Sequence, residues 1–75
     1  MIVKVDAFGT DDDTLWNVMR SMRNGFLTAS DWTQTLDAPL TEAQRAAWAS
    51  YRQQLRDAPH TWTPGPEWDA PDPPA

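Results

Sequence analysis

Carboxylates and a single histidine are the residue types in this chain that could perform acid–base chemistry or hold a metal ion. Three consecutive aspartates occupy positions 11–13, and His60 stands far from them in sequence. A calcium loop of the EF-hand type needs oxygen ligands at alternate positions, a central Gly and a distal Glu, and this spacing is missing. A catalytic site would need a nucleophile, a base and an oxyanion site. We therefore expect no enzyme, no metal and no cofactor, and we interpret the aspartates as helix caps.

Charge and composition restrict the classes of partner. Six Lys and Arg oppose eleven Asp and Glu, which gives a net charge of -5. Nucleic acids and anionic membranes attract clustered cations, so neither is expected as the main partner. No apolar run is long enough to span a bilayer, and residues 1–8 are too short and too charged for a signal peptide. An intracellular product is expected.

The length of 75 residues allows one small domain with a limited core. The Pro-rich end looks unstructured, which leaves fewer than about sixty residues for the core, and such a chain is marginally stable alone. Cysteine is absent, so disulfides are excluded. A partner chain or self-association is therefore expected to complete the fold.

The N-terminal segment, residues 1–9, alternates in hydropathy. Val3 and Val5 lie on one face, and Gly9 ends the run. This pattern predicts a β-strand. Because no second convincing strand follows, we expect either a loose extended terminus or addition of this strand to another chain or to a second copy.

The first helix is predicted over residues 12–24, with Gly25 as its C-terminal stop. Its apolar residues recur at helical spacing and are interpreted as core; they are Leu15, Met19, Met22 and Phe26. After it, Ser30 or Asp31 is expected to cap a short helical turn at residues 32–35. Trp32 in that turn is interpreted as an anchor on the flanking helices.

The second long helix opens at Thr41, which forms a capping-box pattern with Gln44. Pro59 is expected to stop it after residue 58. Ala43 and Ala47 are predicted to permit close approach of another helix. Three arginines are interpreted as largely solvated, with weak surface ion pairs; they are Arg45, Arg52 and Arg56.

The segment 59–75 contains six of the seven prolines. It is typical of a polyproline-like or disordered tail. Trp62 and Trp68 are unusual in such a segment, and two interpretations stay open: they fold back onto the helices, or they anchor a partner. The predicted fold is thus mainly α, with an N-terminal strand (1–9), a helical hairpin (10–58) and an extended Pro/Trp-rich tail (59–75).

The stretch from residue 23 to residue 59 resembles the phage tail assembly chaperone family. Members show an Arg-Asn pair, then S/T-D-W-T-Q, an Asp-x-Pro-Leu turn and an A-W-x-x-Y-R-Q-x-L-R-D helix. This chain carries the pattern at Arg23, Asn24, Leu27, Ser30, Asp31, Trp32, Thr33, Gln34, Asp37, Pro39, Leu40, Trp48, Tyr51, Arg52, Gln53, Leu55, Arg56 and Asp57. It departs at Gly25 and Phe26, where members usually have an aliphatic residue. The resemblance covers about half of the chain and leaves the N-terminal strand out.

The resemblance implies help in tail or tail-fibre assembly by protein–protein binding, in the host cytoplasm. The alternative is a small structural subunit retained in the virion tail, and an unpaired N-terminal strand would favour it. The predicted partner is a tail or tail-fibre protein, with self-association as a further option. The predicted partner-binding residues are Trp32, Trp48, Tyr51, Arg52, Arg56, Trp62, Trp68, Val3 and Val5.

Overall fold

A computed structural model describes residues 1–74 as two helices, a 3₁₀ turn and two short strands. In chain order these are β1 (Ile2–Lys4), α1 (Asp12–Ser30), the 3₁₀ turn (Asp31–Gln34), α2 (Glu42–Thr61) and β2 (Glu67–Asp69). The helices form an antiparallel hairpin, and the molecule measures 42 × 19 × 16 Å. The predicted fold class, mainly helical with a helical hairpin, is confirmed.

The first of the three consecutive aspartates caps α1, and the other two lie in its first turn. Asp11 is the N-cap, and its carboxylate accepts a hydrogen bond from the Thr14 N–H at 3.1 Å. Hydrogen bonds from Thr14, through its side chain and its backbone, hold the pKa of Asp11 below its usual value. Asp12 and Asp13 follow in the first turn, where negative charge meets the positive end of the helix dipole.

The predicted end of α1 at Gly25 is wrong, because the helix continues to Ser30. Gly25 does not adopt positive φ, and the space where its Cβ would lie is open. Phe26 and Leu27, which follow it, both pack on the core. Burying two large apolar side chains outweighs the cost of about 1 kcal/mol for a glycine inside a helix.

The capping box of α2 is confirmed. The Gln44 N–H donates to the Thr41 hydroxyl at 3.1 Å, and the Gln44 side-chain carbonyl accepts from the Thr41 N–H at 2.9 Å. Pro59 does not stop the helix, which runs to Thr61. The last turn persists because the Trp62 N–H bonds the Ala58 carbonyl at 2.9 Å.

The alanines of α2 do not lie at a helix contact as predicted. Ala43 and Ala47 are exposed, and the buried side of α2 instead presents Tyr51, Arg52 and Leu55 to α1 and the turn. The two alanines stand at i, i+4 spacing with Tyr51 and Leu55 and were predicted on the same stripe, of which only the last two residues are buried. Such a row drifts by about 40° around the helix at each step, so its first members turn away from the buried side. The prediction of close helix approach at the alanines is therefore wrong.

Replacing Thr41 by alanine is expected to lower the free energy of unfolding by about 1 kcal/mol, because an orphan N–H at the start of α2 loses its acceptor. Thermal or urea unfolding followed by circular dichroism measures this loss. Thr28→Ala, at an exposed position inside α1, is the matched control and is expected to leave stability unchanged or slightly raised. Equal stabilities for Thr41→Ala and the unaltered chain would contradict the capping role.

The N-terminal strand is paired within the chain, which corrects the expectation of a lone strand. β1 and β2 are antiparallel, with Val3 opposite Trp68. The pairing extends past both ends, because the Val5 N–H bonds the Pro66 carbonyl at 3.0 Å and the Ala70 N–H bonds the Met1 carbonyl at 2.8 Å. The Pro-rich segment therefore contributes a strand, and the expectation that this end of the chain is unstructured is wrong for residues 67–69.

A single hydrophobic core joins the N-terminal strand, both helices and the C-terminal segment. Its buried members are Val5, Leu15, Met19, Tyr51, Leu55, Ala58, Trp68 and Ala70. Because Trp68 and Ala70 belong to it, the core draws on more of the chain than the hairpin alone. The division into 1–9, 10–58 and 59–75 stays a prediction from composition.

Candidate protein-binding surface

A run of aromatic rings leads from the core to the surface at the hairpin turn. The Tyr51 ring lies 5.6 Å from the Trp48 ring, which lies 6.2 Å from the Trp32 ring, measured between centroids. Exposure rises along the run, from 6% for Tyr51 to 48% for Trp32. Burial raises the pKa of the Tyr51 phenol, so this ring stays neutral in the physiological range. The packed inner rings support an outer ring that solvent reaches.

Arg52 fastens the end of α1 to α2. Its guanidinium donates to the Leu27 carbonyl at 2.6 Å, to the Ser30 hydroxyl at 2.8 Å and to the Asp31 carboxylate at 2.7 Å. The side chain is buried. The interpretation of Arg52 as solvated is therefore wrong, and the acceptors of its hydrogen bonds belong to this chain.

The cap predicted for the helical turn is absent. The Ser30 hydroxyl donates back to the Phe26 carbonyl at 2.8 Å, within α1, and gives the turn no side-chain cap. Thr33, which is fully buried, instead donates to the Ser30 carbonyl at 2.6 Å. Ser30 thus acts as an acceptor for Arg52 and Thr33 at the junction of α1 with the turn.

Further hydrogen bonds hold the turn against α2. The Arg45 guanidinium donates to the Thr35 carbonyl at 2.6 Å, and the Thr35 hydroxyl donates to the Trp32 carbonyl at 2.8 Å. Backbone carbonyls that receive such bonds are fixed in position, so the turn is held from both helices. A rigid turn of this kind presents its outward side chains in one arrangement.

Leu36 is the residue that sequence reasoning missed. It follows the turn and is 100% exposed, the highest value among the large apolar side chains that the structure describes. The sequence does indicate that Leu36 is exposed, because it stands between Thr35 and Asp37 in a polar stretch. Without helical or strand periodicity there, the leucine has no apolar face to join. Together with Trp32, it gives the turn an apolar exterior.

The strand residues and Trp68, which were also predicted to bind a partner, lie elsewhere. Val5 is fully buried and Trp68 is 3% exposed, while Val3 is half-buried opposite Trp68. The Trp68 ring packs against Phe26 at 6.1 Å between centroids. Their burial gives Val5 and Trp68 a role in the interior of the monomer.

Trp62 and Arg56 complete the set of predicted residues. Trp62 is half-buried, meets Trp16 edge to face at 5.1 Å, and donates its indole N–H to the Glu67 carbonyl at 3.1 Å. Arg56 is exposed and reaches only Gln53, at 3.3 Å. Trp32, Trp48, Tyr51 and Arg52 are therefore brought together at the turn, whereas the other predicted residues are dispersed. Contact of any of them with a partner stays a prediction.

The histidine and the carboxylates, which could hold a metal ion, do not come together at one site within residues 1–74. His60 is exposed in the last turn of α2, and no group of three or more His, Asp or Glu side chains is placed to hold a metal ion among the described residues.

A cleft of about 290 Å³ lies between the start of α1 and the loop before β2, lined in part by Asp6, Asp12 and Leu15. In the same described part of the chain, neither helix has the length and apolar character needed to cross a membrane.

Comparison with models of known protein families identifies the family of this chain. A model described as phage tail assembly chaperone protein matches residues 16–75. The chain belongs to the phage tail assembly chaperone family. The match covers most of α1 and everything after it in the fold, and β1 lies outside it. Curated proteins and solved structures give no significant match.

In this member of the phage tail assembly chaperone family, much of the recognised pattern builds the turn. Ser30 and Asp31 accept hydrogen bonds from Arg52, and Thr33 is buried beneath them. These residues make contacts inside the chain, so their presence in the motif has a structural explanation here. Trp32 belongs to the same motif but differs from these residues, because its side chain is half exposed.

Proposed function

We propose that this protein assists tail assembly by binding a tail or tail-fibre subunit through noncovalent contacts, without catalysing a reaction. Membership of the phage tail assembly chaperone family over residues 16–75 carries this proposal. The surface supports it, since half-exposed Trp32 and fully exposed Leu36 suit protein contact and no cluster of catalytic groups accompanies them in the described residues.

Trp32 and the accessible edge of Trp48 form the centre of the proposed contact. Tryptophan is enriched among residues that dominate binding energy, and an anchor works best when the free protein already holds its conformation. Arg56, which is exposed and forms no ion pair within the described chain, lies about two helical turns beyond Trp48 along α2, and its contact with a partner stays a prediction apart from this centre. Tyr51 packs against Trp48, and Arg52 holds the turn that carries Trp32 through its bond to Asp31.

The proposed binding takes place in the host cytoplasm during assembly and is transient. An unpaired N-terminal strand was the feature that favoured a retained structural subunit. In this structure β1 is hydrogen-bonded to β2, and the argument for retention is weaker for that reason. We therefore place the retained subunit second.

Co-expression with the tail and tail-fibre proteins of the same phage tests the proposal. We expect a complex that survives affinity capture and size-exclusion chromatography, and we expect purified virions to lack the chain in mass spectrometry. Failure to bind every purified tail and tail-fibre protein of the same phage would contradict the proposed function. Stoichiometric copies in mature particles would instead contradict a purely transient role.

A further inference from the structure

The exterior of the hairpin turn combines apolar and acidic side chains on a fixed backbone. Trp32 is 48% exposed and Leu36 is 100% exposed, and Asp37 and Glu42, also exposed, follow them in sequence. We call these four residues the turn surface. Single exposed apolar residues are common on proteins, but a tryptophan that packs against a second ring at a tilt of 55° and sits at a turn held by hydrogen bonds is typical of an interface anchor.

The accessible charge on the turn surface is negative. No Lys or Arg occurs between Arg23 and Arg45. Asp37 and Glu42 form no ion pair within residues 1–74, so their charges face solvent. The whole chain carries a net charge of -5, which adds a field of the same sign.

The two guanidinium groups beside the turn surface are already engaged. Arg45 donates to the Thr35 carbonyl at 2.6 Å, and the charge of Arg52 is met by the Asp31 carboxylate at 2.7 Å. Arg45 keeps its positive charge, because a carbonyl does not neutralise it, but the four residues of the turn surface itself offer a partner hydrophobic area next to carboxylates without an ion pair in the described chain. Electrostatic complementarity favours a partner whose cations face those carboxylates.

We propose that the turn surface binds a segment of a tail or tail-fibre polypeptide in which a bulky apolar side chain is flanked by Lys or Arg. This inference rests on the proposed function and names the chemistry of its partner. The apolar side chain packs on Trp32 and Leu36, and the flanking cations pair with Asp37 and Glu42. An acidic segment is repelled by the same carboxylates.

A second copy of this chain fits the turn surface poorly. In a two-fold contact between identical surfaces, each residue faces its own kind or a neighbour from the same patch. Both patches carry Asp37 and Glu42 and no Lys or Arg among their four residues, so such a contact brings like charges together, which is unfavourable. A different polypeptide with basic residues avoids that repulsion.

The test uses the tail or tail-fibre protein of the same phage that the co-expression experiment identifies, and it measures the binding of that purified protein to single and paired variants. Leu36→Ser removes an apolar group that is wholly in solvent, so the fold is retained, and Trp32→Ala removes the anchor. Each is expected to weaken binding about tenfold or more. Asp37→Asn with Glu42→Gln is expected to weaken it roughly threefold to tenfold and to flatten its dependence on salt.

Phe8→Ser is the matched control, because Phe8 is 83% exposed and precedes α1, at the opposite end of a helix about 28 Å long. It is expected to bind like the unaltered chain. Normal binding by Leu36→Ser and Trp32→Ala would overturn the inference and leave the proposed function standing. Unchanged or tighter binding by the carboxylate variant would overturn the basic character of the partner. Absence of binding by the unaltered chain would count against the proposed function itself.

Discussion

Replacing Trp68 by alanine is expected to lower the free energy of unfolding by about 4 kcal/mol, which is the range for removing a large aromatic side chain from a packed core. Trp68 is 3% exposed, packs against Phe26 and lies opposite Val3 in the sheet. Its loss empties the space between the sheet and α1. We expect both strands to detach, because a two-stranded pairing is marginally stable without packing on a helix.

Thermal unfolding followed by circular dichroism, together with limited proteolysis of the C-terminal segment, measures this effect. Trp32→Ala is the matched control, since it removes the same side chain from a half-exposed position. It is expected to cost about 1 kcal/mol or less, because much of the ring is already hydrated. Similar losses for the two variants would contradict the placement of Trp68 in the core.

The second large effect is expected for Arg52→Ala, which should lower the free energy of unfolding by about 3 kcal/mol and the melting temperature by roughly 15 °C. The substitution removes the donor to the Leu27 carbonyl and the Ser30 hydroxyl. The Asp31 carboxylate regains water, because its side chain is 63% exposed. Most of the cost therefore comes from the buried acceptors and from lost packing.

Arg56→Ala, one turn further along α2, is the control for Arg52→Ala. Arg56 is exposed and contacts only Gln53, so stability is expected to change by less than about 0.5 kcal/mol. Arg52→Lys retains the charge but offers no planar fork of donors, and an intermediate loss is expected. If Arg52→Ala and Arg56→Ala unfold at the same temperature, Arg52 does not fasten the hairpin.

The helices were predictable because their signals are local. The capping box at Thr41 and the Asp11 cap before α1 satisfy backbone groups within one turn, so short stretches of sequence suffice to locate the helix starts. The helix ends were placed too early at Gly25 and Pro59. Both residues disfavour helix only locally, and contacts made by Phe26 and Trp62 with distant parts of the chain outweigh that preference.

The sheet could not be predicted, because its partner strand is short and lies among prolines. Glu67–Asp69 has too few residues for a visible alternation. The strand Glu67–Asp69 is stabilised by the packing of Trp68 on α1 and by its pairing with Ile2–Lys4. Both contacts join residues that are far apart in sequence. The two tryptophans of this segment were the one hint that it returns to the core.

The candidate surface was predicted in part. Trp32 and Trp48 were identified by residue type, whereas Leu36 was missed because a single leucine in a polar stretch has no periodicity. Arg52 was misassigned to solvent because charged residues are rarely buried. Only in the folded chain do the Leu27 carbonyl and the Ser30 hydroxyl lie within hydrogen-bonding distance of the Arg52 guanidinium. These hydrogen bonds make the burial of Arg52 favourable.

Hydrogen–deuterium exchange of this protein, free and bound to its tail or tail-fibre partner, tests the central claim most directly. That claim is a fold completed within the chain, with binding confined to the hairpin turn. We predict protected amides in α1, α2 and both strands of the free protein, and new protection on binding concentrated in residues 30–48. An unprotected sheet in the free protein, or new protection concentrated in Ile2–Lys4 and Glu67–Asp69, would contradict it.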